Sequence, residues 1–557
     1  MMSGIAKRIG ASLFSGLVLL GACTGDDGPS NSPPTGLALS ATDAITVHVT
    51  WTAAAGVTGY ILERAAGTTG AFVEINRPAA GATSYDDPGL SAATTYRYHI
   101  AAVRSAGASA FSAELTVTTP ATGTVNVTAD ITTNTTWTAA NVYKLVGFRK
   151  VATGATLTIQ AGTRIIGDFS TIGSSLFILR GARLIANGTA AAPIIFTSSQ
   201  PAGQRQPADW GGLLLIGNGI DNRSGVVNVE GTGTSTDNGL VQYNGGTNNA
   251  DNSGELHYVV VEWAGFGPVQ DAEFNSFTFC AVGSGTVVDH LQALNGFDDA
   301  FEFFGGAVDA KYLVSYEAGD DIFDMSEGYI GRLQFLIGFI SRVIPPRPNA
   351  GNVSVDPQGI ENDGCNGSGC DLAFNTTPFT DPVVANFTLV GTGPGVVPTG
   401  GGYGAVLRRG TGGHYINGIW ARWDKAAVGY RDADTKARET AGLLSIRNNL
   451  IVETTLGLQA GQQTYDLVGN GNVLDAVTTA AGLFVKLPVT SGTSPASVAD
   501  FDWSLSATSP ARTGGLQTFT GDLLTRAGTF VTPTVFRGAW DPTGAKWWEG
   551  WTTYVRN

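Results

Sequence analysis

Residues 287 to 329 carry one pattern twice at a spacing of 22 residues. Leu291 returns as Leu313, the acidic run Asp298, Asp299, Glu302 returns as Asp320, Asp321, Asp324, and Gly306 returns as Gly328. A period near 20, carried by short apolar runs and glycine turns, belongs to a solenoid. Each repeat is then one coil that buries its apolar face only against its neighbours. Stacked as parallel strands about 4.8 Å apart, the repeats set six carboxylates in one ladder on the surface.

The series continues on both sides. Gly162, Arg164, Ile165, Ile166 and Asp168 are echoed 19 residues later by Gly181, Arg183, Leu184, Ile185 and Asn187. Apolar runs follow at Ile194 to Phe196, Leu213 to Ile216, Phe387 to Val390, Ile416 to Ile419 and Leu443 to Val452. Inward aliphatics with Gly, Asn and Asp at the corners satisfy a right-handed parallel β-helix, because its turns need permissive backbone angles and its interior needs packed side chains. A long antiparallel meander is the rival. The 76 glycines and the lack of long charged helical windows place the chain in the all-β class either way.

Lys7 and Arg8 precede an apolar segment from Ile9 to Leu20 that is too short for a permanent membrane span, so residues 1 to 22 are expected to be a signal peptide. The ending Leu20, Gly21, Ala22, Cys23 resembles the bacterial lipobox, which implies lipidation at Cys23; a plain signal peptide is the alternative. Residues 23 to 35 have nothing to form a core and make a tether. By the same resemblance, Thr24 after the cysteine favours the outer membrane, and Asp26 and Asp27 fit cell-surface display. The membrane is thus an expected partner, through the lipid.

Residues 36 to 119 alternate apolar and polar positions between turns: Ile45, Val47, Val49, Trp51; Tyr60, Leu62; Phe72, Ile75; Tyr96, Tyr98, Ile100, Ala102; Leu115, Val117. Strands at this spacing close a β-sandwich. Trp51, Tyr60 and Leu90 six positions before Tyr96 resemble a fibronectin type III domain and its tyrosine corner. That resemblance implies a spacer or a binding module. His48 and His99 lie on its strands as paired or solvated side chains.

Residues 125 to 557 also resemble a poorly characterised group of secreted bacterial β-helix proteins. The resemblance rests on Asp209, Trp210, Gly211, Gly212 after an Ala-Pro-Ile-Ile-Phe-Thr-Ser run and on Asp251, Asn252, Ser253, Gly254. It rests further on the repeated acidic segment, on Gly359 to Asp363, and on Gly538, Ala539, Trp540 with Trp547, Gly550, Trp551. It implies a fold and a location, with no catalytic residues to transfer.

The formal charge is −14, and removing the first 22 residues leaves −16. Phosphate backbones repel such a chain, so nucleic acid is excluded as a general partner and divalent cations are favoured. Two carboxylates 4.8 Å apart repel by about 3 to 4 kcal/mol at an effective dielectric near 20. Asp298, Asp299, Glu302, Asp320, Asp321 and Asp324 therefore form a solvated acidic turn, a structural calcium site, or an acid/base groove. Calcium suits clustered hard oxygens outside the cell. Glu361, Asp363 and Asp371 offer a second acidic loop beside Cys365 and Cys370. That cysteine pair is either a disulfide or half of a zinc site that lacks its other ligands. Cys280 lies alone in an apolar run.

A local basic and aromatic cluster comprises Arg408, Arg409, His414, Trp420, Arg422, Trp423, Lys425 and Arg431. Sugar rings stack on tryptophan and guanidinium groups clamp carboxylates, so Arg408, Arg409, Trp420, Arg422, Trp423 and Lys425 are candidates for an acidic-glycan site. Alternatively, Trp packs inward while Arg pairs with Asp424, Asp432 and Asp434. Serine-elbow, zinc-helix and phosphate-loop signatures are absent, and His257, His290 and His414 share no ligand spacing. The expectation is a lipid-anchored surface scaffold that binds a polysaccharide or another surface protein. A polysaccharide lyase or glycosidase is the alternative, and it requires the acidic ladder and Arg408, Arg409 or Lys425 on one groove.

Overall fold

A computed structural model of the chain describes residues 32–233, 240–269, 272–345, 348, 351, 357–370, 374–397, 400–488 and 500–554. The signal segment, Cys23, most of the tether and Asp371 lie outside the described residues. The chain divides between Thr119 and Pro120 into two compact units.

In the first unit, strands Ala38–Asp43, Thr46–Thr50 and Ser84–Asp87 form one sheet, and a second five-stranded sheet centres on Gly59–Ala66 and Thr95–Arg104. Alternate residues of the long strand face inward, so Tyr96, Tyr98 and Ile100 join Val47, Val49, Trp51, Tyr60 and Leu62 in one core. The Ser91 N–H donates to the Tyr96 hydroxyl at 2.8 Å, which closes the tyrosine corner. Buried Asp87 accepts from the Tyr98 hydroxyl at 2.6 Å and from Arg64 on both oxygens at 2.8 Å. His99 meets Glu63 at 2.8 Å and His48 meets Asp86 at 2.5 Å.

The second unit is a parallel β-helix whose coils contribute to a 17-stranded and a 9-stranded sheet. Leu291 lies in register with Leu313, and Glu302 with Asp324, so the 22-residue repeat is one coil. The 19-residue echo has another origin: Arg164 pairs with Ile195, whereas Arg183 pairs with Thr156. It relates two walls of the helix rather than successive coils, because every wall obeys the same alternation. Inside, Phe277, Phe301 and Phe323 stack with centroids 5.1 and 5.4 Å apart.

The longest wall bends without a loop. Tyr258, His290, Tyr312 and Phe335 adopt positive φ angles of 50 to 63° at one position of consecutive coils. A left-handed residue costs roughly 1–2 kcal/mol, and here the four rings stack at 4.3, 4.5 and 5.3 Å. Two segments cover the outside of the coils. Residues 500 to 554 place Trp503 and Tyr554 against Tyr316 and Glu317, with hydrogen bonds of 2.9 and 2.6 Å. The excursion between Ile216 and Gly254 lays Val229, Val241 and Tyr243 on Phe177, Leu214, Cys280 and Phe304. Among the described residues no helix is long and apolar enough to cross a membrane.

Candidate metal centre

Strands Phe277–Cys280, Phe301–Phe304, Phe323–Ser326, Ile360–Asp363 and Tyr403–Arg408 are successive rungs of the nine-stranded sheet. Period-two alternation sends Phe301 and Phe303, or Phe323 and Met325, into the coil. The residue between each pair must point outward. Register then aligns Thr278, Glu302, Asp324 and Glu361 in one column.

A second column forms in the turns before these strands. The Asp299 N–H donates to Asn275 Oδ1 at 3.1 Å, and the Asp321 N–H donates to Asp299 Oδ1 at 2.8 Å. Asp321 is only 3% exposed and its own Oδ1 has no partner. At the next rung Gln358 Nε2 donates to Glu361 Oε2 at 2.7 Å.

Three carboxylate triads result: Asp298, Asp299 and Asp320; Asp299, Glu302 and Asp324; Asp321, Asp324 and Glu361. In each, one oxygen per residue lies within 4.8 Å of the others. Two oxygens on one calcium, each at about 2.3–2.6 Å, lie at most about 5 Å apart. The donors are therefore all hard, correctly spaced for that ion, and include an orphaned oxygen. Asp299 and Asp324 each belong to two triads, which makes the three groups continuous.

The sequence repeat alone placed the ladder on the surface; the structure instead turns most of it away from solvent and leaves Asp320 and Asp324 part-exposed. Asp298, Asp299, Glu302, Asp321 and Glu361 are buried. The excursion over this wall also contributes Glu230, which with Glu302 accepts from Asn275 Nδ2. Burial first, and neighbouring carboxylates second, push Asp298, Asp299, Glu302, Asp321 and Asp324 well above the ordinary carboxylate range. Burial raises Glu230 to about 7. Burial and mutual repulsion therefore both disfavour full ionisation of this cluster.

Arg408 and Arg409 close the far end. Arg408 Nε donates to Asp363 Oδ1 at 2.6 Å and its Nη2 to Glu361, while Arg409 Nη1 donates to Asp363 Oδ2 at 2.6 Å. Burial opposes charge on Arg408, but Asp363 and Glu361 hold its pKa above the usual value. The rest of the basic cluster does not join them. Trp420 and Trp423 are 0% and 1% exposed inside the coil, donating to Gly404 O at 3.0 Å and Leu389 O at 3.2 Å. These two tryptophans are therefore not the sugar platforms expected of an acidic-glycan site: strand alternation turns Trp420 inward, and Trp423, beyond the strand end at Ala421, enters the coil after Arg422 at φ 61°. Arg422 lies 3.7 Å from Glu453, and Lys425 Nζ donates to Val397 O at 3.2 Å.

Cys365 and Cys370 are joined, with Cα atoms 5.4 Å apart, and Cys280 is buried and free. His257 and His290, distant in sequence, share Asp289 at 2.8 and 2.7 Å. Sequence reasoning missed Glu230, in an excursion without periodicity, and buried Glu273, on the short strand Ala272–Phe274, whose charge acts on Asp298. Asn275 carried a signal, since it precedes Phe277, Phe279 and Cys280 as Asp299 precedes Phe301, Phe303 and Phe304.

The stacked parallel strands define a β-helix solenoid, and the first unit is a fibronectin-type sandwich. The description "Pectate-lyase like beta helix domain" matches residues 129–489 and "Fibronectin type III domain" matches residues 32–118. The chain belongs to the pectate-lyase-like β-helix family. A curated relative, the poly(3-hydroxybutyrate) depolymerase of Ralstonia pickettii, is 38% identical over 102 residues, covering 18% of this chain and 19% of that one. The chain thus spans about a fifth of that relative's length. Similar solved structures include the fn3 domain of the human collagen alpha-1(XX) chain, at 29% identity over 18% of this chain and 93% of that one, TM-score 0.16. An Fn3-like protein from Clostridium thermocellum is 30% identical over 16% and 93%, TM-score 0.15.

Proposed function

We propose that this chain is a lipid-anchored cell-surface protein that binds an extracellular polymer through its β-helix, with calcium as a structural ion in the acidic column. The observation that carries the calcium reading is Asp321 Oδ1, a buried carboxylate oxygen without a partner inside a continuous set of carboxylates. Calcium would be held by one or more of the three triads drawn from Asp298, Asp299, Glu302, Asp320, Asp321, Asp324 and Glu361, neutralising their repulsion and joining neighbouring coils. Burial beneath the excursion favours a structural role over contact with a chain-like substrate. Polysaccharide is the first ligand class, by kinship with the family; polyester is the second, by the name of the curated relative.

A lyase or glycosidase is the second reading. Arg408 against Glu361 and Asp363 favours it, since a guanidinium and acidic residues share one wall. Incubation of the full chain with polysaccharide and polyester arrays, in calcium and in chelator, tests both. Retention on a polymer with no product supports binding, and unsaturated or shortened sugars support the enzyme. Retention of none would sink the binding proposal.

A further inference from the structure

At the other end of the solenoid, strands Gly413–Ile416 and Leu444–Arg447 are adjacent rungs, with His414 in register with Ser445. Tyr415 and Ile446 fill the coil, so His414, Ser445 and Arg447 point outward. Helix Gly521–Ala527 folds over this wall through Leu523 and Ala527 on Val383, Ala385 and Ile416. It brings Asp522 onto the histidine. His414 Nδ1 lies 2.8 Å from Ser445 Oγ, and its Nε2 lies 3.1 Å from Asp522 Oδ2. His414 is 2% exposed, while Ser445 is half-buried.

This is the order of a nucleophile, a base and an orienting carboxylate, which is recognised by geometry and not by fold or chain position. One tautomer satisfies both contacts: Nε2–H donates to Asp522, leaving Nδ1 to accept the Ser445 proton. Burial holds the His414 pKa below its ordinary value, with Arg526 and Arg447 acting in the same direction and Asp522 opposing. The ring is thereby neutral, as a base must be. The Arg447 guanidinium makes no hydrogen bond or ion pair among the described residues. It is two residues from Ser445 on the same outward side of strand Leu444–Arg447, which puts a cation on the rung that carries the serine.

We propose that Ser445, His414 and Asp522 form an ester-hydrolysing site, with Ser445 as nucleophile, His414 as general base and Asp522 as positioning residue. Ser445 Oγ bonds to the acyl carbon as its proton passes to His414 Nδ1. The ester C–O bond breaks, and the departing alcohol takes that proton. Water then attacks the acyl-serine, giving its proton to His414 and its hydroxyl to the acyl carbon; the acid leaves and Ser445 regains its proton. The ester is an acyl group on a polysaccharide or a linkage in an aliphatic polyester, which share this chemistry. The inference goes beyond polymer binding and does not depend on the acidic column.

The test is a fluorophosphonate probe on the full chain with peptide mapping, alongside hydrolysis of 4-nitrophenyl butyrate, an acetylated polysaccharide and a polyester film. Label on Ser445 and an S445A rate lower by at least about 100-fold, at unchanged melting temperature and polymer retention, are expected. S445C, which keeps a nucleophile, retains slow turnover and takes a thiol reagent. D522N lowers kcat with KM unchanged and moves the acidic limb of the pH profile downward, because Asp522 raises the His414 pKa. Acetate or hydroxyacid release identifies the ester source. An unlabelled Ser445, or an S445A rate equal to that of the native chain, overturns the proposal while leaving polymer binding untouched.

Discussion

The carboxylate of Asp299 accepts the backbone N–H of Asp321 from the next coil at 2.8 Å, so one acidic residue caps the rung on which the following acidic residue stands. Asp321 holds the equivalent place on the following coil, but its Oδ1 has no hydrogen-bond partner. The repeat thus stacks charge on charge while using the same side chains as backbone acceptors. An amide would serve the second role without the repulsion, as Asn275 does one rung earlier.

The first prediction concerns pH in the absence of calcium. Carboxylates raised by burial in the folded state bind protons more tightly there than in the unfolded chain. Their contribution to stability is full below the ordinary carboxylate pKa near 4 and is lost as pH rises through the folded value. For Glu230 that value is about 7. The chelated protein is therefore expected to lose melting temperature between about pH 4 and pH 7, and calcium is expected to restore it at pH 7. A chelated melting temperature that rises across this window would contradict the protonation account.

Trp420 and Trp423 separate packing from ligand contact. Either residue changed to Ala is expected to destabilise the solenoid by about 3–5 kcal/mol, because both fill the coil interior. Denaturant unfolding measures this. A variant of native stability that had lost polymer retention would restore the aromatic-platform reading.

The sandwich offers an independent check. Residues 36 to 119 are expected to unfold cooperatively in isolation, because their core is assembled from residues 37 to 117 alone. Tyr96→Phe removes the acceptor of the Ser91 N–H and is expected to cost about 1–3 kcal/mol. A native-like midpoint in urea for Tyr96→Phe would show that the corner contributes nothing.

Anchoring is tested at Cys23. Intact-mass analysis of the native N-terminus is expected to find acyl groups there, and Cys23→Ala is expected to release the chain from membranes. Membrane retention of Cys23→Ala, with no acyl mass on the native protein, would remove the anchor from the account.

The coil period was legible because Leu291 and Leu313, or Glu302 and Asp324, pair in register at the spacing of the repeat. Burial of the column was not. It depends on an excursion of residues 217 to 253 that has no periodicity, so nothing local announced that Glu230 would lie against Glu302. The reach of Arg408 into the column was hidden because Tyr403–Arg408 is the rung after Ile360–Asp363 only across the 39 residues from 364 to 402, which break the coil period. The Ser445 and His414 pairing was hidden for the same reason, with Asp522 brought in by a helix from the C-terminal cover. Period-two alternation did contain the fate of Trp420, since Ile419 and Ala421 on either side take the opposite face.

The central claim is that a cation, rather than solvent, resolves the repulsion in the acidic column. The most direct measurement is a calcium titration of the melting temperature for the native chain and for Asp299→Asn with Asp321→Asn. The native chain is expected to gain about 2.7 kcal/mol at a hundred times the Kd, whereas the double variant, keeping its amide acceptors, is stable without calcium and does not respond to it. A native chain indifferent to both calcium and chelator, with a melting temperature matching that of the double variant, would contradict the account.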